Sequence, residues 1–329
     1  MGSNDDKMSA EDRLIADFFK PIATHPGALA LTDDAAFLTP APGTDVVLKT
    51  DAIIGGVHFF PEDDARDVAR KALRVNLSDL AAKGATPLGF LVSLALPNDI
   101  GADWLKRFAQ GLREDAETYQ CPLFGGDTDR TPGPVMVSVS MFGSVPAGAM
   151  VRRSGAKPGH RVFVTGTIGD AALGLKLRQG GAWDLTSGQR EHLLSRYLLP
   201  RPRNALAEAV RAHASAAMDV SDGLAGDLTK LCRVSGVAAK IDVASVPLSE
   251  AARAVVAIDM AMRETALTGG DDFEVLCTVP EARTVAFRAA AQRAQVPVTD
   301  IGVVEAGEGA RFMDGTRELA FKRLSFSHF

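Results

Sequence analysis

The chain has 329 residues, about twice the usual domain size, so two moderate cores are expected rather than one small module. Its 36 basic and 41 acidic residues leave a net charge of −5, which supplies no positive field for nucleic acid or anionic lipid and disfavours both as partners. A hydrophobic share of 46% with 23% charged residues excludes disordered, collagen-like and coiled-coil classes, while 31 glycines and 17 prolines against 6% aromatics point to small-residue packing and many turns.

The opening MGSNDDKMSAEDR is polar and acidic, without the charged-then-apolar order of a secretory signal. Residues 1–11 are expected to be a disordered tail or a cloning remnant, the remnant proper being Met1–Lys7 with Met8 the native start. No stretch approaches the roughly 18 apolar residues of a membrane-spanning helix, so a soluble, cytoplasmic protein is the expectation. Residues 46–54 read as a strand, 66–84 as a helix with Val68, Ala72, Leu73, Leu77 and Leu80 at helical spacing, and 87–96 as a second strand. A helix follows, with Asp103 as its N-cap and Trp104, Leu105, Phe108 and Leu112 as its apolar stripe. Residues 134–145 alternate, Val135, Val137, Val139 and Met141 on one side and Ser138 and Ser140 on the other, which marks a strand with one wetter face. These elements make an α/β layer.

The stretch 146–159 is rich in glycine and carries Arg152, Arg153 and Lys157, a composition suited to a connection, and places the domain boundary near 148–152. The expected domains are therefore 12–149 and 150–329. Beyond the break, 161–165 is a short strand that runs into Gly166-Thr167-Ile168-Gly169, a tight strand-to-helix turn. A later helix, with Leu224, Leu228, Leu231 and Cys232 as its stripe, is capped by Ser221 or Asp222 and ended by Gly236. Residues 273–279 and 298–304 read as strands flanking a helix over 281–295.

The unusual feature is a set of short acidic motifs beside Gly, Ser or Thr: Asp33-Asp34, Thr50-Asp51, Ser78-Asp79, Gly125-Gly126-Asp127, Asp219-Val220-Ser221-Asp222-Gly223 and Gly269-Gly270-Asp271-Asp272. They are expected at the ends of elements. Carboxylates with waters are the ligands of hard cations, and glycine lets a phosphate or metal approach the backbone, so the set points to Mg2+. Singly, each motif also has the composition of an ordinary turn or helix cap. Asp79 lies inside a helix, on a polar line with Asn76 and Lys83. That line is either a solvated face or a buried carboxylate neutralised by metal.

Positive groups are placed singly. Arg153 and Lys49 are either phosphate contacts or ordinary surface charges, and His58, which follows Gly55-Gly56-Val57, is either a structural histidine or a substrate contact. No P-loop, protein-kinase signature, nucleophile elbow or His-Glu-x-x-His helix is present. Cys121, Cys232 and Cys277 have neither metal nor redox spacing.

In this order the motifs resemble the thiamine-monophosphate kinase family, of the superfamily that includes aminoimidazole ribonucleotide synthetase. The match runs from about Asp12 through Asp33-Asp34, Lys49-Thr50-Asp51 with His58-Phe59, Val75-Asn-Leu-Ser-Asp79-Leu, Gly125-Gly-Asp127-Thr, Arg153-Ser-Gly-Ala-Lys, Val164-Thr-Gly-Thr-Ile-Gly-Asp170, Asp219-Val-Ser-Asp222-Gly and Gly269-Gly-Asp-Asp-Phe-Glu274 to the closing His328-Phe329. The resemblance implies a two-domain α/β and α+β fold whose N-terminal sheet pairs across a homodimer into a barrel, with a C-terminal α+β domain. It also implies ATP-dependent phosphorylation of thiamine monophosphate by direct in-line transfer, assisted by several Mg2+ ions. On the family pattern Asp34, Thr50, Asp51, Asp79, Asp127, Asp219 and Asp222 hold the metals, with Asp51, Asp127 and Asp222 as catalytic residues. Gly126, Asp127, Arg153 and Ser221 contact ATP, and His58, Asp271 and Phe321 meet thiamine monophosphate, Phe321 by stacking.

This chain departs from the family pattern in four places. Thr32 replaces a glycine, Lys49 a small hydroxyl residue, Asp271 a glutamate one methylene longer, and Phe273 a tyrosine. Two sister enzymes of the superfamily are disfavoured, the selenophosphate synthetase because it needs a reactive N-terminal cysteine and the hydrogenase-maturation enzyme because it needs a C-terminal one, whereas Cys121 is the first here and Cys277 the last. Another ATP-using enzyme of the same superfamily and a non-catalytic Mg2+-nucleotide binding module are the alternatives.

Overall fold

The structure, a computed structural model, describes residues 13–326, so the tail expected at residues 1–11, the start at Met8 and the closing His328-Phe329 lie outside the described residues. The chain divides into two units. One comprises the chain up to Leu77 with Pro87–Gly148, the other Ser78–Thr86 with everything from Ala149.

The first unit is built on strands β1 (Thr44–Ile54), β2 (Thr86–Leu96), β3 (Leu123–Arg130) and β4 (Met136–Pro146), ordered β1-β4-β2-β3. β1 runs antiparallel to β4, and β3 parallel to β2. The alternation read from the sequence is realised in β4: Val137, Val139, Met141 and Val145 are buried, and Ser138 and Ser140 are half-buried. Two helices, α1 (Ala65–Ala82) and α2 (Ala102–Thr118), carry apolar stripes that are wholly buried at Leu73, Leu77, Leu80, Phe108 and Leu112. Gly111 lets them approach closely, since a methyl there would stand 2.1 Å from the Arg66 carbonyl oxygen. Between them the Asp115 carboxylate, 1% exposed, accepts from Arg74 Nε at 2.6 Å and Nη2 at 2.9 Å. Breaking such a buried pair costs about 3–5 kcal/mol.

Several local expectations change here. Asp103 sits in the first turn of α2, but the N-cap is Gly101, with no side-chain cap. Gly125-Gly126-Asp127 is not an element end but lies inside β3. The line of Asn76, Asp79 and Lys83 is not a solvated face. Asn76 is fully buried, Asp79 half-buried, and the Lys83 ammonium donates to the Ala217 carbonyl at 2.7 Å.

The second unit carries a seven-stranded mixed sheet of β5 (Arg161–Thr165), β6 (Ala216–Asp219), β7 (Ala238–Asp242), β8 (Val275–Val279), β9 (Val298–Glu305), β10 (Gly309–Asp314) and β11 (Arg317–Glu318), ordered β11-β10-β7-β9-β5-β8-β6. Its helices are α3 (Asp170–Arg178), α4 (Ser187–Leu198), α5 (Ala207–His213), α6 (Leu224–Ser235), α7 (Glu250–Ile258), α8 (Met262–Thr268) and α9 (Thr284–Arg293). Val162, Val164, Met218 and Leu276 join Leu224, Leu228 and Leu231 of α6 in one buried cluster, and Phe163 packs edge-on against Phe287 in another. As expected, 166–169 turns β5 into α3, and Gly236, at φ 67°, ends α6.

The expected cap of α6 is reversed. Neither Ser221 nor Asp222 caps it. The N-cap is Gly223, and Asp227 within the helix reaches back to accept from the amides of Asp222 at 2.9 Å and Gly223 at 3.1 Å. β8 begins two residues later than expected, because Phe273 has a left-handed backbone (φ 50°) that no strand accommodates.

Candidate active site

Candidate residues occur in both units. In the first, a cavity of about 600 Å3 is lined by Asp33, Asp34, Gly125, Gly126, Asp127 and Ser140, among others, a size that suits a nucleotide-sized ligand. Gly126 is dictated by its neighbour strand: a methyl there would lie 1.9 Å from the Val92 carbonyl oxygen, so only glycine lets β3 pair with β2 at this register. The next residue, Asp127, is thereby presented, exposed, on the cavity wall. Asp33 and Asp34 are exposed in the segment that follows Gly27, whose own carbonyl accepts from the Phe37 amide at 2.9 Å and so closes that segment into a loop.

Successive strand residues face opposite sides. Thr50 therefore shares a face with Ser140, whose hydroxyl donates to Thr50 Oγ1 at 3.2 Å, while Asp51 points to the other face. There its carboxylate stands 3.1 Å from the Lys49 ammonium. Lys49, which takes the place of a small hydroxyl residue, thus serves Asp51 as a counter-charge. His58 is held in place: its Nδ1 accepts from the Ile54 amide at 3.0 Å, and its carbonyl accepts from the buried Lys71 ammonium at 2.7 Å. With Nδ1 accepting, a neutral ring carries its proton on Nε2.

In the second unit two motifs far apart in sequence are zipped together. The Asp271 amide donates to the Ser221 carbonyl at 2.9 Å and the Phe273 amide to the Val220 carbonyl at 2.8 Å. Asp219 ends β6, 4% exposed. Asp222 is half-buried and its carboxylate receives the Lys230 ammonium, which also donates to Asp227 at 2.9 Å. Burial pushes the Asp227 carboxyl up, against the pull of Lys230. Arg153 is exposed.

The remaining acids of these motifs are anchors. Asp272, fully buried, accepts from the amides of Gly169 at 2.6 Å and Ala171 at 3.3 Å. Burial holds its carboxyl well above the usual range, Asp170 adds to this, and the amide donors oppose it. Glu274, also fully buried, accepts from Arg203 Nε and Nη2 at 2.6 Å, from Arg196 at 3.0 Å and from the Thr165 hydroxyl at 2.5 Å. At Asp170 burial pushes the carboxyl up, but hydrogen bonds from His192, Ser249 and Thr167 outweigh it and hold the group below its ordinary value.

Phe321, expected to stack on substrate, is half-buried and packs edge-on against the buried Phe312, with centroids 5.2 Å apart, at the margin of the core. The exposed aromatic near Asp222 is Phe326, whose amide donates to the Asp222 carbonyl at 3.0 Å. Sequence reading missed Phe326, Lys230 and the Glu274 network. Only Lys230 left a signal, lying three residues after Asp227 on one helix face.

Among the described residues, no three His, Cys, Asp or Glu side chains gather closely enough to hold a metal ion by themselves. The donors present are carboxylate and hydroxyl oxygens, the hard set that Mg2+ takes, and Mg2+ is commonly held by one or two carboxylates together with waters and substrate phosphates rather than by a protein cage. All three cysteines are buried, which pushes the thiols of Cys121 and Cys277 up to about 12 and that of Cys232 up to about 11. None is a nucleophile at neutral pH.

The chain matches the AIR synthase related protein family, its N-terminal domain over residues 32–145 and its C-terminal domain over 157–315. A thiamine-monophosphate kinase from Caulobacter vibrioides is 41% identical over 318 residues, 95% of this chain and 89% of that protein. The chain belongs to the thiamine-monophosphate kinase family. The family's solved structures agree. The thiamine-monophosphate kinase of Stenotrophomonas maltophilia K279a has a TM-score of 0.83 at 38% identity, covering 93% of this chain and 96% of that one. AaThiL complexed with AMPPCP and TMP has a TM-score of 0.77 at 32% identity, covering 90% and 91%. Against the thiamine-monophosphate kinase pattern, the shorter Asp271 lies on the strained loop zipped to Ser221.

Proposed function

We propose that the chain transfers the γ-phosphoryl group of ATP to thiamine monophosphate, producing thiamine diphosphate and ADP by direct in-line displacement. The observation that carries this is the 32% identical relative in complex with AMPPCP, an ATP analogue, and TMP, over 90% of the chain. Phosphoryl transfer needs positioning and charge neutralisation rather than a protein nucleophile, which suits a chain with buried cysteines and many presented aspartates.

In this reading the cavity beside Gly126 and Asp127 takes the nucleotide in the first unit, and Arg153 and Ser221 are the ATP contacts of the second unit. The His58 Nε2 proton is donated to the phosphate of thiamine monophosphate, Asp271 meets the same substrate through a water, and Phe326, in place of Phe321, offers its face to a flat ring. Asp34, Thr50, Asp51, Asp79, Asp127, Asp219 and Asp222 supply oxygen ligands for several Mg2+ ions. Bound Mg2+ would neutralise the charge on the triphosphate. Asp51 and Asp222 would exchange an ammonium partner for the metal.

The expected homodimer has support in β1, an 11-residue edge strand carrying Leu48 at 72% exposure. Residues 12–149 would then serve nucleotide binding and dimerisation, and 150–329 the remaining contacts. A steady-state assay with ATP, Mg2+ and thiamine monophosphate tests the proposal, with thiamine diphosphate as the expected product. ATP binding without that product would favour the non-catalytic binding module.

A further inference from the structure

The loop that carries Asp271 takes a left-handed backbone on either side of Asp272, one that an aspartate tolerates but that Phe273 resists. Asp271 has φ 72° and Phe273 φ 50°, both in the left-handed region that L-residues other than Asn and Asp seldom enter. Such a conformation persists only where the surroundings over-determine it. Between the two residues, Asp272 is fully buried, and its carboxylate takes the Gly169 and Ala171 amides at the N-terminus of α3. Its carbonyl takes Arg196 Nη2 at 3.2 Å, and Arg196 is itself fixed by Glu274 at 3.0 Å. On the other side the loop is tied to the Val220 and Ser221 carbonyls. Every bond of Asp272 therefore restrains the backbone on which the Asp271 carboxylate is mounted.

We propose that Asp272 is a positioning residue for substrate: its buried carboxylate, clamped to the start of α3 and backed by Arg196, holds Asp271 in the left-handed conformation that presents the Asp271 carboxylate to thiamine monophosphate. This rests on the proposed kinase activity and extends it to a side chain that touches neither substrate. A shorter acid than the family's glutamate needs its backbone placed more strictly, because it has one fewer rotatable bond with which to find the ligand.

The test uses the full chain with wild type, Asp271→Asn, Asp272→Asn and the double variant, each checked by thermal unfolding and then assayed for KM of both substrates. Asparagine keeps side-chain size and tolerates the left-handed backbone, so Asp271→Asn removes charge with little strain. Asp272→Asn turns one acceptor into a donor facing the α3 amides. The expected result is a rise of about tenfold in KM for thiamine monophosphate in each single variant, with KM for ATP changed less than twofold, and no further rise in the double variant, since both changes act through one carboxylate.

A structural role alone would lower the unfolding temperature and leave the two KM values in proportion. If Asp272→Asn does not fold, Arg196→Gln loosens the same anchor from the carbonyl side while Glu274 keeps Arg203 and Thr165. An unchanged KM for thiamine monophosphate in a folded variant, an equal rise for both substrates, or multiplicative effects in the double variant would overturn the anchor alone. A wild type that forms no thiamine diphosphate would overturn the kinase reading beneath it.

Discussion

Gly126 offers the sharpest test of how the fold serves the site, because its neighbour Gly125 is an internal control. A methyl at Gly126 would stand 1.9 Å from the Val92 carbonyl oxygen and 3.0 Å from its carbon, whereas one at Gly125 would meet only Leu91 Cδ2 at 3.4 Å. Reaching ordinary contact at Gly126 needs about 1.5 Å of separation (3.4 − 1.9) between backbones that pair in the β2–β3 ladder. Overpacking of this kind costs about 1–3 kcal/mol, and each ladder hydrogen bond stretched adds about 1 kcal/mol, so Gly126→Ala should lose roughly 3 kcal/mol. At about 2–4 °C per kcal/mol, the unfolding midpoint should fall by about 6–12 °C. The same movement carries Asp127 by about an ångström, a misplacement worth on the order of 100-fold in kcat/KM for ATP. Gly125→Ala should change the midpoint by less than about 2 °C, as its new methyl meets only the end of a flexible side chain. Calorimetry and steady-state kinetics on both variants decide the matter. Wild-type behaviour of Gly126→Ala, or equal damage from Gly125→Ala, would refute the steric argument.

Four further outcomes are expected. Asp127→Asn should cut kcat by about 100-fold or more with an unchanged unfolding midpoint, since an exposed carboxylate is removed and no packing is lost. His58→Ala should raise KM for thiamine monophosphate more than KM for ATP, and the reverse pattern in the same assay would reassign the residue. Phe326→Ala should raise KM for thiamine monophosphate with little effect on stability, whereas Phe321→Ala should lower the unfolding midpoint by removing the contact with Phe312. Because the Asp170 pKa is held below its ordinary value, its stabilising share is complete above the unfolded value of about 3.9 and is lost as pH falls below that through the folded value. Unfolding midpoints measured at pH 5 and pH 3 should therefore fall less for Asp170→Asn than for wild type.

Long periodic elements could be read directly. α1 and α2, with their buried stripes, and β4, with its strict alternation, declare themselves because burial on one face imposes a period on the residues. β6 could not be read: Ala216–Asp219 is four residues, all buried, and shows no period. β3 was hidden for a different reason. Gly-Gly-Asp has the chemistry of a turn, and only the closeness of Val92 explains why glycine stands there in a strand. The caps misread at Asp103 and at Ser221 or Asp222 follow from the same ambiguity, since a short polar side chain fits a cap, a ligand or a turn equally well.

The amino-acid order by itself determined the family and the supply of carboxylates, because the motif string is long and each motif pairs an acid with a small residue. Tertiary structure alone decided which acids are presented and which are consumed. Asp271 and Asp272 are chemically identical neighbours, yet one is half-buried on a strained turn and the other is fully buried beneath the amides of α3. A carboxylate's role depends on the donors and solvent around it, and here those donors come from residues about 100 positions away in the chain.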